Sequence, residues 1–251
     1  MPTEPAEPQR LDVALQARGL VGSRSRARDL ILRGAVRVAG EIVTKPARLV
    51  AAADLVEITA GRADDISRGA EKLRAAIAAF ALDAREAVAL DIGASTGGFT
   101  QVLLEGGAAR VYAVDVGHGQ LHPTLSADPR VLSLERLDAR SLEPRHVPEP
   151  VGVIVADVSF ISLTLALPRA LTFAAPGAWL AALVKPQFEA GPAAVGKGGI
   201  VRNAADRLRA LDKVRGWLAE QPDWQVLGTE TSPITGGSGN IEFLLAGRHR
   251  G

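Results

Sequence analysis

Apolar positions along the first sixty residues recur in short, interrupted patterns. In RLDVALQARG, Leu11, Val13, Ala14, Leu15 and Ala17 fall on one helical face, and Gly19 follows where a C-terminal glycine would end the helix. The next stretch, RSRARDLILRG, reads as a second short helix with Ser23 as its N-cap and Gly34 as its terminator. On it Arg24 and Arg28 stand four residues apart while Ala27, Leu30 and Ile31 point another way, so the two arginines share a solvent face. AVRVAG and DLVEITA then alternate as strands, with a turn ahead of Glu41. The pattern predicts a small unit of two helices and a little sheet.

After the polar stretch TAGRADDISRGAEKL the pattern changes. Short apolar runs at AVALDIG, RVYAVDVG, VLSLERLDA, VGVIVADVSF, AWLAALVKP, WQVLGTETS and NIEFLLAGR read as strands. Helical segments intervene near Gly98 to Glu105, Leu163 to Phe173 and Ala204 to Glu220. Such alternation predicts an α/β fold, a doubly wound and mainly parallel sheet. In these sheets ligands lie beyond the carboxyl ends of the strands, at the topological switch point. Charges interrupt the apolar runs there: Asp157 ends one strand, and Lys185-Pro186 abruptly ends another. Lys72 is expected just before the first helix of this part, and Glu242 inside the last strand, where a carboxylate without a partner is costly. From spacing alone, Asp157 and Lys185 read equally well as a structural ion pair.

Composition narrows the chemistry. The 251 residues are 47% hydrophobic, enough for a substantial core, and include no cysteine, which excludes disulfides, thiolate metal sites and cysteine nucleophiles. Four histidines, His118, His122, His146 and His249, are expected in polar loops without ligand spacing, and no metal site is expected. The start, MPTEPAEPQR, lacks the basic and apolar segments of a signal peptide, and no window offers a membrane span, so a soluble, cytoplasmic protein is expected. The net charge of +1 hides an asymmetry: Arg10 to Ile58 carries nine Lys/Arg against five Asp/Glu, and the remainder from Thr59 carries twenty against twenty-one. A basic module ahead of a near-neutral one suggests that the first binds a polyanion.

The first large-module strand runs into DIGASTGGFT. Its glycines permit a tight turn and close approach to a ligand, but it is neither a G-x-G-x-x-G fingerprint nor a triphosphate loop. Asp115 follows Asp91 by twenty-four positions, about where an adenosine ribose is bound, and Asp138 is read as ending the next strand. In this order they favour an adenosine cofactor without a long phosphate tail, S-adenosylmethionine over NAD. The candidate cofactor residues are Asp91, Gly93, Ser95, Thr96, Gly97, Gly98, Phe99, Asp115, Val116, Asp138 and Asp157.

The segment RLDVALQARGLVGSRSRARDLILRGAVRVAGEIVTKPARLV resembles the alpha-L RNA-binding motif shared by pseudouridine synthases and tyrosyl-tRNA synthetases. The resemblance implies contacts to structured RNA through Arg10, Arg24, Arg28 and Lys45, with Arg68 adding to them, made by backbone and shape more than by base edges. SRGAEKL, LDIGASTGGFT, AVDVGHGQL, DPRV, ADVSFISL, LVKPQFEAG, VGKGGIVRN and GNIEFLL, in that order, resemble the TlyA family of ribosomal RNA methyltransferases and the wider FtsJ-like group. That likeness implies a Rossmann-like class I methyltransferase sheet with helices on both faces, preceded by a small α+β RNA-binding domain. The implied organisation is a disordered tail over 1–9, an RNA-binding domain over 10–58, a linker over 59–71 and a methyltransferase domain over 72–249. It implies a tetrad of Lys72, Asp157, Lys185 and Glu242 and methyl transfer from S-adenosylmethionine to a cytidine 2′-hydroxyl in ribosomal RNA, with ribosomal subunits as partners and neither membrane nor DNA.

Lys185 is the candidate proton acceptor, because a lysine of ordinary pKa about 10.4 approaches neutrality when desolvated or set beside another cation. Lys72 would orient the hydroxyl, Asp157 would hold the ammonium groups, and Glu242 would fix the surroundings. Competing readings are a non-enzymatic ribosome-assembly factor, a cytolysin, since relatives carry hemolysin names, and a Rossmann oxidoreductase. The intact charged quartet, the lack of a span or long amphipathic hairpin, and the missing dinucleotide fingerprint argue against them in turn.

Overall fold

Leu11, Leu15 and Ile31 are fully buried together, and around them folds the first of two units, which ends at Arg68. The computed structural model describes residues 8–22, 24–32, 34–58, 65–236 and 239–251. In this unit β1 (Gln9–Arg10) leads into α1 (Leu11–Ala17), followed by α2 (Arg24–Leu32), β2 (Val36–Val38), β3 (Glu41–Ile42), β4 (Leu49–Val50) and β5 (Val56–Ile58). The strands β3, β2 and β5 form an antiparallel sheet in which Val36 and Val38 point inward and Arg37 outward, and β1 pairs with β4. Ala27, Leu30 and Ile31 are buried while Arg24 and Arg28 are exposed, as helical spacing requires. Gly19 and Gly34, the two predicted terminators, both have positive φ. The expected N-cap Ser23 lies outside the described residues, as do 1–7 of the expected tail and 59–64 of the expected linker. Gln9, placed in that tail, is instead paired with Val50.

The second unit runs from Gly69. It comprises α3 (Gly69–Phe80), β6 (Val88–Ile92), α4 (Gly98–Glu105), β7 (Arg110–Asp115), α5 (Pro123–Ser126), β8 (Val131–Glu135), β9 (Val151–Ala156), α6 (Leu163–Ala166), α7 (Pro168–Leu171), β10 (Ala174–Val184), α8 (Pro186–Glu189), α9 (Ala204–Ala219), β11 (Trp224–Thr231) and β12 (Phe243–His249). Among the described residues seven strands form one sheet in the order β11-β12-β10-β9-β6-β7-β8, and β12 is antiparallel to both its neighbours while the pairs from β10 to β8 are parallel. The chain winds from β6 outward through β7 and β8, then returns to β9 on the other side. The switch point therefore lies between β6 and β9.

Both faces of the sheet are covered. Leu180, Ala182 and Val184 of β10 join Leu90, Ile92, Ile154 and Ala156 in a core closed by Leu163, Leu167, Val214 and Leu218 from α6 to α9. Trp179, Ala181 and Leu183, the alternate residues of β10, are also buried, and α3 packs against this strand. An unbroken apolar strand is what burial on both faces demands.

Several expected boundaries shift. Pro168 cannot supply a helical N–H, so the helix expected over Leu163 to Phe173 is two short pieces, α6 and α7. Lys72 sits inside the first turn of α3 rather than before it, and Glu242 immediately precedes β12 rather than lying within it. Asp138 lies three residues beyond β8, where its side chain caps a single 3-10 turn by accepting from the Arg140 amide. His249, expected in a loop, ends β12 with its ring edge-on to Trp224.

Ile154, central in β9 and fully buried, tests the two-faced core. Ile154→Ala is expected to destabilise the second unit by about 2–5 kcal/mol, read as an earlier urea transition with an unchanged slope.

Candidate active site

The parallel strands end in charges because their apolar bodies leave no other place for them. Asp157 follows β9, Lys185 follows β10 and Glu242 precedes the reversed β12. Val184 and Phe243 are register partners, so Lys185 and Glu242 stand one step past the same rung, and Ala156 pairs with Ala182 two residues before the end of β10. Three neighbouring strand ends thus carry acid, base and acid, and α3 brings Lys72 to the third.

The quartet resolves into two ion pairs. The Lys72 ammonium donates to Oε2 of Glu242 at 2.5 Å, with both side chains buried. The Lys185 ammonium stands 2.7 Å from Oδ1 of Asp157, a charge contact without hydrogen-bond alignment, and donates to the Ser159 hydroxyl at 2.8 Å. A Cβ on Gly236 would lie 2.3 Å from Oε1 of Glu242, so the backbone closes directly over that carboxylate.

Beside the second pair an open cleft of about 1190 Å³ lies across the switch point. Gly93, Ser95, Asp115, Val116, Asp138 and Asp157 line it, as do Ser159, Phe160 and Phe188. Gly93 has φ +83°, and a Cβ there would meet the Asp157 carbonyl oxygen at 2.7 Å, so only glycine lets the β6 loop lie against the end of β9. Asp115 accepts from the Ser95 and Gly117 amides, each at 2.7 Å, and so shapes the loop it faces. Val116 next to it is 71% exposed, an apolar surface at the cleft wall. Asp138 is held by Arg140, whose guanidinium keeps its carboxyl below the usual range.

The remaining expected cofactor residues lie off the cleft wall. Gly98 and Phe99 are buried in the first turn of α4, Gly97 precedes it as N-cap, and Thr96 is exposed with its carbonyl accepting from His122. Asp91 is wholly buried; its Oδ2 accepts from the Thr100 hydroxyl at 2.6 Å, and its Oδ1 has no partner. Burial pushes this carboxyl up to about 7, opposed by the Thr100 hydrogen bonds and reinforced by the charges of Asp157 and Asp115.

In the first unit Arg10, Arg24, Arg28 and Lys45 are all exposed, and Arg10 and Arg24 meet at one carboxylate, Asp12. Arg68, the last residue of that unit, is half-buried. Among the described residues no group of three or more His, Asp or Glu side chains is placed to hold a metal, and no helix is long and apolar enough to cross a membrane.

Two features escaped the sequence reading. Phe160 is 91% exposed at φ +66°, its ring tilted on Phe188 at 5.1 Å between centroids. An aromatic three residues past a strand-end acid, in a chain with ten aromatics in all, was the available signal. Glu189 is buried and accepts from the Ser162 hydroxyl and the Leu163 amide, tying the turn after Lys185 to the segment bearing Ser159 and Phe160. No local pattern announces that long-range contact.

Residues 66–249 match the family of FtsJ-like methyltransferases, and residues 9–56 match the S4 domain. The chain is also 45% identical, over 94% of its length and 88% of the relative's, to the 16S/23S rRNA (cytidine-2'-O)-methyltransferase TlyA of Mycobacterium tuberculosis. It is an FtsJ-like methyltransferase of the TlyA family. A relative named Hemolysin A, from Brachyspira hyodysenteriae, is 40% identical over 94% of this chain and 98% of its own. A solved structure from Streptococcus thermophilus bearing a provisional hemolysin label superposes with a TM-score of 0.75 at 39% identity, covering 96% of this chain and 88% of that one. The methyltransferase sheet with its S4 module in front is therefore the family's architecture.

The raised Asp91 carboxyl gives a pH test. Below about pH 4 it is protonated both folded and unfolded, so its favourable share of stability is complete there and is lost as pH rises through about 7. Asp91→Asn is expected to gain stability relative to the parent between pH 5 and pH 8, measured by urea unfolding at both; a constant difference would place the carboxyl in its ordinary range.

Proposed function

We propose that this protein methylates the ribose 2′-hydroxyl of a cytidine in ribosomal RNA, using S-adenosylmethionine, within assembled or assembling ribosomal subunits in the cytoplasm. The observation that carries the reading is the pair of lysine–carboxylate contacts at three adjacent strand ends, beside an open cleft of about 1190 Å³ at the switch point. The curated activity of the mycobacterial relative supports the substrate.

The cleft residues suit the cofactor. Gly93 and Ser95 offer backbone at close range, Asp115 offers a carboxylate to ribose hydroxyls, and Val116 offers an apolar surface to adenine. When bound, S-adenosylmethionine supplies an electrophilic methyl group carried on a sulfonium. What the chain must add is alignment and a route for one proton.

A ribose hydroxyl is a weak acid and a poor nucleophile, so its proton must leave as the oxygen attacks. In this reading Lys185 accepts it at Nζ, and Asp157 and Ser159 hold the Lys185 side chain in place. Lys72, locked to Glu242, contributes a fixed positive charge that orients the hydroxyl oxygen. Holding oxygen and methyl at attack distance contributes roughly 7–11 kcal/mol. Phe160 presents a bare ring at the cleft edge, and base stacking on such a ring is worth about 1–3 kcal/mol.

Two variants separate chemistry from substrate placement. Lys185→Ala is expected to lose methyl transfer by about a thousandfold or more, assayed with labelled S-adenosylmethionine on each unmodified ribosomal subunit, while cofactor affinity stays near normal. Turnover at the parent rate would remove the lysine from the mechanism. Phe160→Ala is expected to lower RNA turnover at subsaturating substrate by about tenfold, or 1.4 kcal/mol, through a raised KM for RNA; an unchanged KM would remove the ring from substrate placement.

A further inference from the structure

At the start of the S4 module, the Asp12 carboxylate has no exposed surface although it lies in the first turn of a seven-residue helix on a basic unit. Its Oδ1 accepts from Arg10 Nε at 2.9 Å, and its Oδ2 accepts from Arg10 Nη2 at 3.1 Å and from Arg24 Nε at 3.0 Å. The hydrogen bonds from Arg10, with those from Arg24, hold this carboxyl down to about 2, so it stays charged at any working pH. The guanidinium groups remain open to solvent on their other sides: the Arg10 side chain is 43% exposed and that of Arg24 51%. Two long, mobile cations that would repel each other are thus fastened to one buried anchor, and their unused N–H donors face water.

We propose that Asp12 is a positioning residue for RNA: it holds the Arg10 and Arg24 guanidinium groups side by side so that their free N–H donors clamp one backbone phosphate. The proposal rests on the reading of the S4 module as the RNA-binding part of the protein. Arginine presents five donors in a rigid fork, and phosphate recognition gains most when the fork is already oriented. Asp12 supplies that orientation at the expense of one negative charge in a positive neighbourhood.

That charge makes the test decisive in sign. If the module attracted RNA through its field alone, Asp12→Asn would raise the local charge by one and tighten binding. If Asp12 positions the arginines, the same change weakens it. The measurement is the affinity of the full chain for in-vitro-transcribed ribosomal RNA across a salt series, for Asp12→Asn, for the double variant Arg10→Ala with Arg24→Ala, and for the triple variant. Asp12→Asn is expected to bind about tenfold more weakly, the double variant more weakly still with a shallower salt dependence, and the triple variant no worse than the double. Parent-like or tighter binding by Asp12→Asn, with the double variant weakened, overturns the positioning role and leaves the arginine contacts standing. A further tenfold loss in the triple variant also overturns it, because the acid would then act on the fold rather than through the arginines. An unweakened double variant overturns the RNA reading of these arginines, and the positioning role with it.

Discussion

A lysine ammonium leaves water only where a carboxylate meets it, and this constraint organises the catalytic half of the molecule. Moving an ion from water into a protein interior costs several kcal/mol even after relaxation. Lys72 and Glu242 are both buried, so neither is tolerable without the other, and their contact ties α3, the first helix of the unit, to the start of its last strand. The ends of the chain segment that builds the sheet are thereby joined at the site. The second pair, Lys185 with Asp157, is more open and borders the cleft. One pair is sealed from solvent and the other reaches it, a difference made by burial and not by residue type.

The same strand ends define the cofactor cleft. Because β6 and β9 are neighbours whose connections leave in opposite directions, the loops after them part, and the gap between them is the cleft. Its floor depends on Gly93 lying against the Asp157 carbonyl, so the loop after β6 and the end of β9 share one backbone contact. Glu189 performs a related task on the far wall by fastening the turn after Lys185 to the Ser162 turn. The cleft, Lys185 and the exposed Phe160 are consequently held by one connected set of loops at the sheet's carboxyl edge.

The S4 module follows a different economy. It has a small core of Leu, Ile, Val and Ala, and among its described residues most charged side chains are displayed at the surface. The exception is Asp12, where burial of an acid organises display of bases. In both units, then, a buried carboxylate governs what a cation can do.

The sequence by itself determined the α/β class and pointed to a basic module ahead of it, while the order of its motifs, through their likeness to the TlyA family, singled out the four charged residues. Those follow from hydrophobic period and from motif order, which are local properties of the chain. The seven apolar residues from Ala178 to Val184 are what the burial of β10 on both faces requires. What only the tertiary structure decided was pairing. Nothing local tells Lys72 to meet a carboxylate 170 residues away, or Asp12 to take two arginines at once. Boundaries moved for the same reason: Glu242 falls just outside β12 because its partner on α3 is reached from the strand's edge, and Asp138 leaves β8 to cap a turn. Pattern reports which residues leave water; the fold alone reports which group replaces it.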